Sequence, residues 1–174
     1  MSTYGDLGVR RVDRRAFQKK KEAGEKIAML TAYDAVTAAV LEQSGIELIL
    51  VGDSLGNVVL GLDTTIPVTL EAMLHHTSAV VRGTHKAFIV MDLPFGTTTD
   101  PEIALRTSIR ALKETGCHAV KIEGGIPAVP TVARLVEQGI PVMAHIGLTP
   151  QSIHQLGGFY KHGKSEFYRA LINH

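Results

Sequence analysis

The sequence has few of the residues that mark disulfide-rich, zinc-binding or membrane-bound proteins. Its 174 residues include no tryptophan, and aromatic residues make up only 5% of the chain. The one cysteine, Cys117, cannot form an internal disulfide, and no Cys/His spacing suggests zinc, which favours a reducing compartment such as the cytoplasm. The N-terminus has no apolar signal-peptide core, and no run of about 18 uncharged apolar residues predicts a membrane span.

The charges are nearly balanced. The chain has 18 Lys and Arg residues and 17 Asp and Glu residues, for a net charge of +1. No overall field therefore favours nucleic acid or an anionic membrane as a partner. The basic run in residues 10–26 resembles a nucleic-acid arm, but Asp13 as N-cap, Ala16 and Phe17 as packing positions and Gly24 as terminator favour an ordinary helix with a solvated face.

Five short apolar runs alternate with helix-like segments. Runs that are apolar almost throughout are typical of strands buried on both faces of a parallel sheet. Asp34, Thr69 and Asp100 stand where helix N-caps are expected, and Pro127 and Gly139 bracket a further helix. The predicted strands are 26–30 (KIAML), 47–51 (ELILV), 87–91 (AFIVM), 118–122 (HAVKI) and 140–145 (IPVMAH).

A β-α-β-α order fits either an open doubly wound sheet or a (β/α)₈ barrel. No GxGxxG follows the first strand, which argues against a dinucleotide-binding sheet. Every predicted strand instead has polar residues at its carboxyl end, and in a barrel these ends converge on one face. The polar residues are Thr31, Tyr33, Asp53, Ser54, Asp92, Lys121, Glu123 and His145.

We therefore predict an N-terminal arm or helix in residues 1–25 and a partial (β/α)₈ barrel in residues 26–174. A complete barrel typically needs about 250 residues, and about five of the eight βα units are visible here. Five units leave the first and last strands as unpaired edges. Because such edges pair readily with other chains, we expect the polypeptide to fold poorly alone or to associate.

Three of the polar strand ends are acidic and suggest a metal site. A single aspartate after a strand is more often a cap or turn residue, so the prediction depends on the set. Clustered, partly desolvated carboxylates raise one another's pKa unless a cation joins them, and oxygen ligands favour Mg²⁺. Lys121 lies two residues before Glu123, so both side chains point to the same side of an extended strand. The acidic set is Asp53, Asp92 and Glu123, with His145 facing the same pocket.

Two other patterns resemble sites but lack the expected context. His75 and His76 do not fit HExxH and are interpreted as a solvent-exposed or packing pair.

Residues 158–165 (GFYKHGKS) match the phosphate-loop pattern GxxxxGK[ST]. A true phosphate loop follows an apolar strand, whereas HQLGG precedes this match, so nucleotide binding is not favoured.

Five stretches resemble the ketopantoate hydroxymethyltransferase family. They occur in order and in register from Lys26 to Phe159, which makes the resemblance specific. The stretches are KIAMLTAYDAVTAAVLEQSGIELILVGDSLGNVVLG, TTIPVTLEAMLHHTSAVVRG, VMDLPFG, AVKIEGG and PVMAHIGLTPQSIHQLGGF.

The resemblance implies a barrel related to the phosphoenolpyruvate-binding barrels and a homo-oligomer, commonly a decamer. It implies transfer of a hydroxymethyl group from 5,10-methylenetetrahydrofolate to 3-methyl-2-oxobutanoate, assisted by Mg²⁺, to give 2-dehydropantoate for pantothenate biosynthesis. Gly52 and Gly56 are expected to let the backbone approach the ligand. The implied metal ligands are Asp53, Asp92 and Glu123, and the implied substrate contacts are Asp53, Ser54, Asp92, Lys121 and His145.

The resemblance assigns no catalytic base to this chain. In the family the base is a Glu after the sixth strand, in a segment resembling LECVP, and the sequence ends at His174 before such a segment. One alternative is therefore an inactive remnant that keeps metal or oligomer contacts. A Mg²⁺-dependent oxo-acid lyase or mutase of the related barrels is another, although AVKIEGG and AHIGLTPQ favour the transferase.

Overall fold

A five-stranded parallel sheet forms the centre of the molecule. The computed structural model describes residues 11–156, and side chains within residues 11–154. The strands lie side by side in chain order, and each neighbouring pair is parallel. They are β1 (Met29–Thr31), β2 (Leu48–Val51), β3 (Phe88–Asp92), β4 (Ala119–Glu123) and β5 (Val142–His145).

Four helices begin at the predicted caps, which are Asp13, Asp34, Thr69 and Asp100. The Asp34 side chain accepts the Thr37 N–H at 2.8 Å, and the Thr69 hydroxyl accepts the Ala72 N–H at 3.1 Å. In the part of the chain that is described, no helix has the length and apolar character needed to cross a membrane. The helices are α1 (Arg14–Glu22), α2 (Ala35–Gln43), α3 (Leu55–Val58), α4 (Leu70–Arg82), α5 (Pro101–Thr115), α6 (Val129–Glu137) and α7 (Ile153–Leu156), with 3₁₀ turns at Ile126–Ala128 and Pro150–Ser152.

The strand order distinguishes the two predicted architectures. A doubly wound sheet reverses its order at a switch point, whereas a barrel adds each strand beside the previous one. Here the order is sequential. The helices also contact one another in sequence, α2 with α4, α4 with α5 and α5 with α6, as they do around the outside of a barrel. The predicted partial (β/α)₈ barrel is confirmed.

The sheet buries both of its faces at the central strands. Side chains such as Ile49 and Ile89 pack in the core that the sheet shares with the helices. On the opposite face, Phe88 belongs to a second apolar cluster, against which α1 packs through Phe17. The two aromatic rings meet edge to face with centroids 5.5 Å apart. The basic N-terminal segment is thus a helix packed on the sheet, in agreement with the prediction.

The two outer strands differ from the prediction. Met29 and Leu30 of β1 are 39% and 47% exposed, so the expectation that every strand is buried on both faces is wrong for this strand. β5 is only partly buried. Both strands are also shorter than predicted, because pairing with the neighbouring strand starts only at Met29 and Val142. Association through these edges stays a prediction.

Candidate functional site

The carboxyl ends of β2, β3 and β4 place three acidic residues in one network. Asp92 and Glu123 are the last residues of β3 and β4, and Asp53 follows β2 by two residues. The Asp53 N–H donates to Asp92 Oδ2 at 3.3 Å. Asp53 and Asp92 are only 3% and 5% exposed. The parallel sheet therefore holds carboxylates from neighbouring strands in a poorly hydrated place, as the sequence predicts.

Lys121 provides positive charge to this network. Its Nζ donates to Asp92 Oδ1 at 2.8 Å, and both side chains are buried. Asp92 is the register partner of Lys121 on the neighbouring strand, which explains why the two side chains meet. The ammonium group also acts electrostatically on Asp53 and Glu123. The predicted placement of Lys121 and Glu123 on the same side of β4 agrees with this.

Burial disfavours the charged form of all three acidic side chains. It raises the pKa of Asp53 against an opposing hydrogen bond from Gln151, and it raises the pKa of Asp92 against the opposing charge of Lys121. Burial also raises the pKa of Glu123 to about 7, and the charges of Asp53 and Asp92 add to this rise. A cation bound here would relieve the cost of ionising these groups.

Gln151 is a member of the network that the sequence analysis did not single out. Its side-chain Nε2 donates to Asp53 Oδ2 at 2.8 Å and to the Leu93 carbonyl oxygen at 2.9 Å. Its backbone N–H donates to Glu123 Oε2 at 3.2 Å. The available signal was its place in the stretch AHIGLTPQ directly after β5, at the same edge of the sheet as the carboxylates.

Ser54 lies beside the network with its hydroxyl held in position. The Ser54 Oγ and Tyr33 Oη atoms are 2.9 Å apart. Tyr33 is itself anchored, because His76 Nδ1 lies 2.7 Å from its carbonyl oxygen and must donate to that acceptor. His76 and His75 were predicted to be a solvent or packing pair. Their rings do contact each other, but the structure gives His76 the further role of fixing Tyr33.

His145 stands at the same edge of the sheet, where it is the register partner of Glu123. Its Nε2 lies 2.6 Å from the carbonyl oxygen of Leu148, in its own turn. Since a carbonyl only accepts, Nε2 carries the proton, and a ligand contact would have to use Nδ1. The predicted substrate contact of His145 stays a prediction.

Gly52 and Gly56 serve the packing of the chain itself. A Cβ atom on Gly52 would lie 2.8 Å from Ser54 Oγ and 3.3 Å from Asp92 Oδ2. On Gly56 it would lie 2.7 Å from a methyl group of Val68. Neighbouring side chains thus occupy the space that a Cβ would take, and the predicted approach of a ligand to these glycines stays a prediction.

A cavity of about 460 Å³ adjoins the network. Its walls include the apolar side chains of Phe95, Ile126 and Ile146, and Glu123 and Gln151 contribute polar atoms. Phe95, Ile126 and Ile146 are each at least half exposed. The carboxylate network thus stands beside an open space with apolar walls.

The three carboxylates do not form a closed metal cage as they lie. Among the described residues, no three His, Cys, Asp or Glu side chains are grouped so that they could hold a metal ion. Two of the carboxylates are engaged in hydrogen bonds, in which Asp92 accepts from Lys121 and from the Asp53 N–H, and Asp53 accepts from Gln151. The phosphate-loop match at residues 158–165 lies outside the described residues.

Comparison with known proteins identifies similar sequences. A family model described as ketopantoate hydroxymethyltransferase matches residues 11–173. A 3-methyl-2-oxobutanoate hydroxymethyltransferase from Chloroflexus aurantiacus is 56% identical over 147 residues, which are 84% of this chain and 52% of that protein. The same-named protein of Ralstonia nicotianae is 52% identical over 99% of this chain and 63% of its own length. The chain thus spans about half to two thirds of these curated relatives.

Solved structures share the fold at low sequence identity. A phosphonopyruvate hydrolase, crystallised with oxalate and Mg²⁺, matches with a TM-score of 0.62 and 12% identity, over 75% of this chain and 50% of its own. A 2,3-dimethylmalate lyase of the PEP mutase/isocitrate lyase superfamily gives a TM-score of 0.59 and 15% identity, over 83% and 55%. Both matches support the partial-barrel architecture.

Proposed function

Because the chain belongs to the ketopantoate hydroxymethyltransferase family, we propose that it transfers a hydroxymethyl group from 5,10-methylenetetrahydrofolate to 3-methyl-2-oxobutanoate. The product is 2-dehydropantoate, an intermediate of pantothenate biosynthesis. The observation that carries the proposal is the network of the buried Asp53 and Asp92 with the half-buried Glu123, in which Lys121 pairs with Asp92. Its oxygen donors and its one ammonium group suit a 2-oxo acid bound together with a divalent cation.

The residues that would hold the cation are Asp53, Asp92 and Glu123. Carboxylate oxygens are the donors that Mg²⁺ prefers, and all three carboxyl groups have raised pKa values because burial disfavours their charge. When bound, Mg²⁺ supplies Lewis-acid polarisation of the keto oxygen and a template for the oxo acid.

The other polar residues of the site would orient the oxo acid. Lys121 presents a buried ammonium group that can face the substrate carboxylate while it remains paired with Asp92. The Ser54 hydroxyl, held by Tyr33, can donate to a substrate oxygen. His145 can contribute through Nδ1. These groups fix the carbon beside the keto group in one orientation, which is the condition for selective removal of its proton.

The reaction requires a general base close to that carbon. In the family this is a Glu in a segment resembling LECVP, and we assign no residue of this chain to the role. The carbanion that forms on the oxo acid then bonds to the one-carbon unit of the folate. Water supplies the hydroxyl oxygen of the new hydroxymethyl group, the carbon–nitrogen bonds of the methylene bridge break, and tetrahydrofolate leaves. The apolar cavity lined by Phe95, Ile126 and Ile146 lies next to Glu123, and we propose it for the folate.

Three further features belong to the proposal. We propose that the protein acts as a homo-oligomer, which the exposed β1 edge supports. We propose the cytoplasm as its location, because the one cysteine is a free, buried thiol, consistent with a reducing compartment. Small molecules are its proposed partners, and the near-neutral charge gives no support to nucleic acid.

Exchange of deuterium at the carbon beside the keto group tests the proposed function. The chain is incubated with 3-methyl-2-oxobutanoate in D₂O, with and without Mg²⁺, and NMR follows the proton signal. The proposal requires exchange that depends on Mg²⁺, is lost in Asp53→Asn and is retained in Asp63→Asn, an exposed control. Such exchange would show that a group of this chain acts as the base. A chain that binds the oxo acid without exchanging it would contradict turnover and favour the alternative of an inactive remnant.

The second candidate is a Mg²⁺-dependent lyase or mutase of the related barrels, and shared fold is its support. Sequence identity favours the transferase over the lyase or mutase. Relatives named as hydroxymethyltransferases reach 56%, whereas the lyase is 15% identical. Formation of 2-dehydropantoate only when methylenetetrahydrofolate is added would favour the transferase, and cleavage of an oxo acid without folate would favour the lyase.

A further inference from the structure

Gln151 connects the ends of three strands from a single position. It lies in the 3₁₀ turn Pro150–Ser152 after β5. Its side chain reaches Asp53 after β2 and the Leu93 carbonyl after β3, and its backbone N–H reaches Glu123 at the end of β4. It therefore contacts two of the three carboxylates to which we assign the cation.

The orientation of the Gln151 amide follows from its neighbours. A carboxylate and a backbone carbonyl can only accept hydrogen bonds, so the amide nitrogen must face both Asp53 Oδ2 and the Leu93 oxygen. Both hydrogens of the amide are then used. Because the Leu93 carbonyl belongs to the backbone and Leu93 is 1% exposed, it is a fixed reference point for the side chain.

A neutral amide suits a residue that holds an acid without neutralising it. Lysine or arginine at this position would cancel the charge of Asp53 and compete with a cation. Gln151 fixes the direction of one oxygen and leaves the charge of the carboxylate available. Groups that hydrogen-bond to metal ligands from behind commonly set the orientation of those ligands.

We propose that Gln151 is a positioning residue that orients the carboxylates of Asp53 and Glu123 for a divalent cation. The side chain acts on Asp53, and the backbone N–H acts on Glu123. This inference rests on the proposed function for the location of the cation. It adds a residue outside the predicted ligand and substrate sets, and it ties the turn after β5 to the site.

Titration of the 174-residue chain with Mn²⁺, followed by electron paramagnetic resonance, tests the proposal. Two variants are compared with the wild type. Gln151→Ala removes the side chain, and Gln151→Met keeps its length but removes the donor. Gln138→Ala changes an exposed glutamine at the end of α6 and is the matched control. The thermal unfolding midpoint of each protein, measured without metal, reports on the fold.

We expect both Gln151 variants to bind Mn²⁺ about 10- to 100-fold more weakly than the wild type, with Gln138→Ala unchanged. The unfolding midpoints measured without metal should stay close to that of the wild type. A purely structural role of Gln151 would instead change the midpoint and leave the Mn²⁺ affinity unchanged. Wild-type affinity in Gln151→Met would show that the residue only fills space and would overturn the proposal. Tighter binding in Gln151→Ala would show that the amide competes with the cation, which also overturns it.

The same samples separate this inference from the proposed function. Mn²⁺ binding that depends on Gln151, in a wild-type chain that neither binds nor exchanges 3-methyl-2-oxobutanoate, would contradict the proposed function alone. Oxo-acid exchange in a wild type whose Mn²⁺ affinity is insensitive to Gln151 would contradict this inference alone. A wild type that binds no Mn²⁺ would overturn both.

Discussion

Lys121 on β4 and Asp92 on β3 are register partners, and the Lys121 Nζ lies 2.8 Å from Asp92 Oδ1. The side chains are 9% and 7% exposed. A buried pair of this kind contributes little net stability compared with apolar residues, but removal of one partner leaves a buried charge. We propose that the pair serves binding, because it places a preformed ammonium group beside Asp92 in the candidate site.

Replacement of Lys121 by methionine should destabilise the chain by about 3 kcal/mol at pH 8, because the Asp92 charge is then buried without a partner. Urea unfolding measures the loss, and Lys113→Met on an exposed position of α5 is the control. The loss should shrink as the pH falls, because burial raises the pKa of Asp92 and lets it take up a proton. A change below about 1 kcal/mol at pH 8 would contradict the buried pair.

Glu123 should make the metal-free chain less stable as the pH rises. Its pKa is about 7 when folded, against an ordinary value of 4.5. The folded state therefore holds the proton more tightly, so this contribution to stability is present below pH 4.5 and lost as the pH rises through about 7. Thermal midpoints between pH 4.5 and 8 should fall less in Glu123→Gln than in the wild type or in Glu137→Gln, a surface control. An equal fall of the thermal midpoint with pH in Glu123→Gln and in the wild type would show that Glu123 titrates normally.

Substitution of Tyr33 by phenylalanine should weaken oxo-acid binding by about 2- to 10-fold. This loss of affinity corresponds to the free energy of one neutral hydrogen bond. The reason is that the Ser54 hydroxyl loses the phenol that fixes it at 2.9 Å. Calorimetric titration of 3-methyl-2-oxobutanoate in the presence of Mg²⁺ measures the effect. Because Tyr33 contacts none of the assigned ligands in the described network, Mg²⁺ affinity should not change. Unaltered oxo-acid affinity would remove Ser54 from the predicted contacts.

Glu42 should stabilise the fold far from the site. Its carboxylate accepts the backbone N–H groups of His85, Lys86 and Ala87 before β3, at 2.7 to 3.1 Å. Although burial opposes the effect, these bonds lower the pKa of Glu42, so its contribution is present above pH 4.5 and lost as the pH falls through the folded value. Glu42→Gln should cost about 1 to 2 kcal/mol at pH 7 in urea unfolding. Equal stability of this variant and Glu137→Gln would contradict the prediction.

The features that the sequence predicted well are local or periodic. Asp34, Thr69 and Asp100 cap helices because each precedes an apolar helical segment, and the cap needs only residues two or three positions away. The meeting of Asp53, Asp92 and Glu123 also followed from a general property, since the ends of parallel strands converge at one edge.

The features that were missed depend on distant parts of the chain. Gln151 donates to Asp53 across 98 positions, and no spacing rule connects a glutamine in a turn with an aspartate after another strand. The first strand was predicted to lie at an edge, but the exposure of Met29 and Leu30 was missed, because apolar content alone does not show how far the packing layers cover an edge strand. The contact of His76 with Tyr33 was also missed. Its partner is a backbone carbonyl 43 positions away, and no pattern of side chains reveals such a contact.

The central claim is that the carboxylate network forms a metal-dependent site for a 2-oxo acid. Calorimetric titration of 3-methyl-2-oxobutanoate into the chain, with Mg²⁺ or with EDTA, tests it most directly. We predict binding that requires Mg²⁺ and is abolished in Asp53→Asn but retained in Asp63→Asn. Binding of equal strength in EDTA, or in Asp53→Asn with Mg²⁺, would contradict the claim.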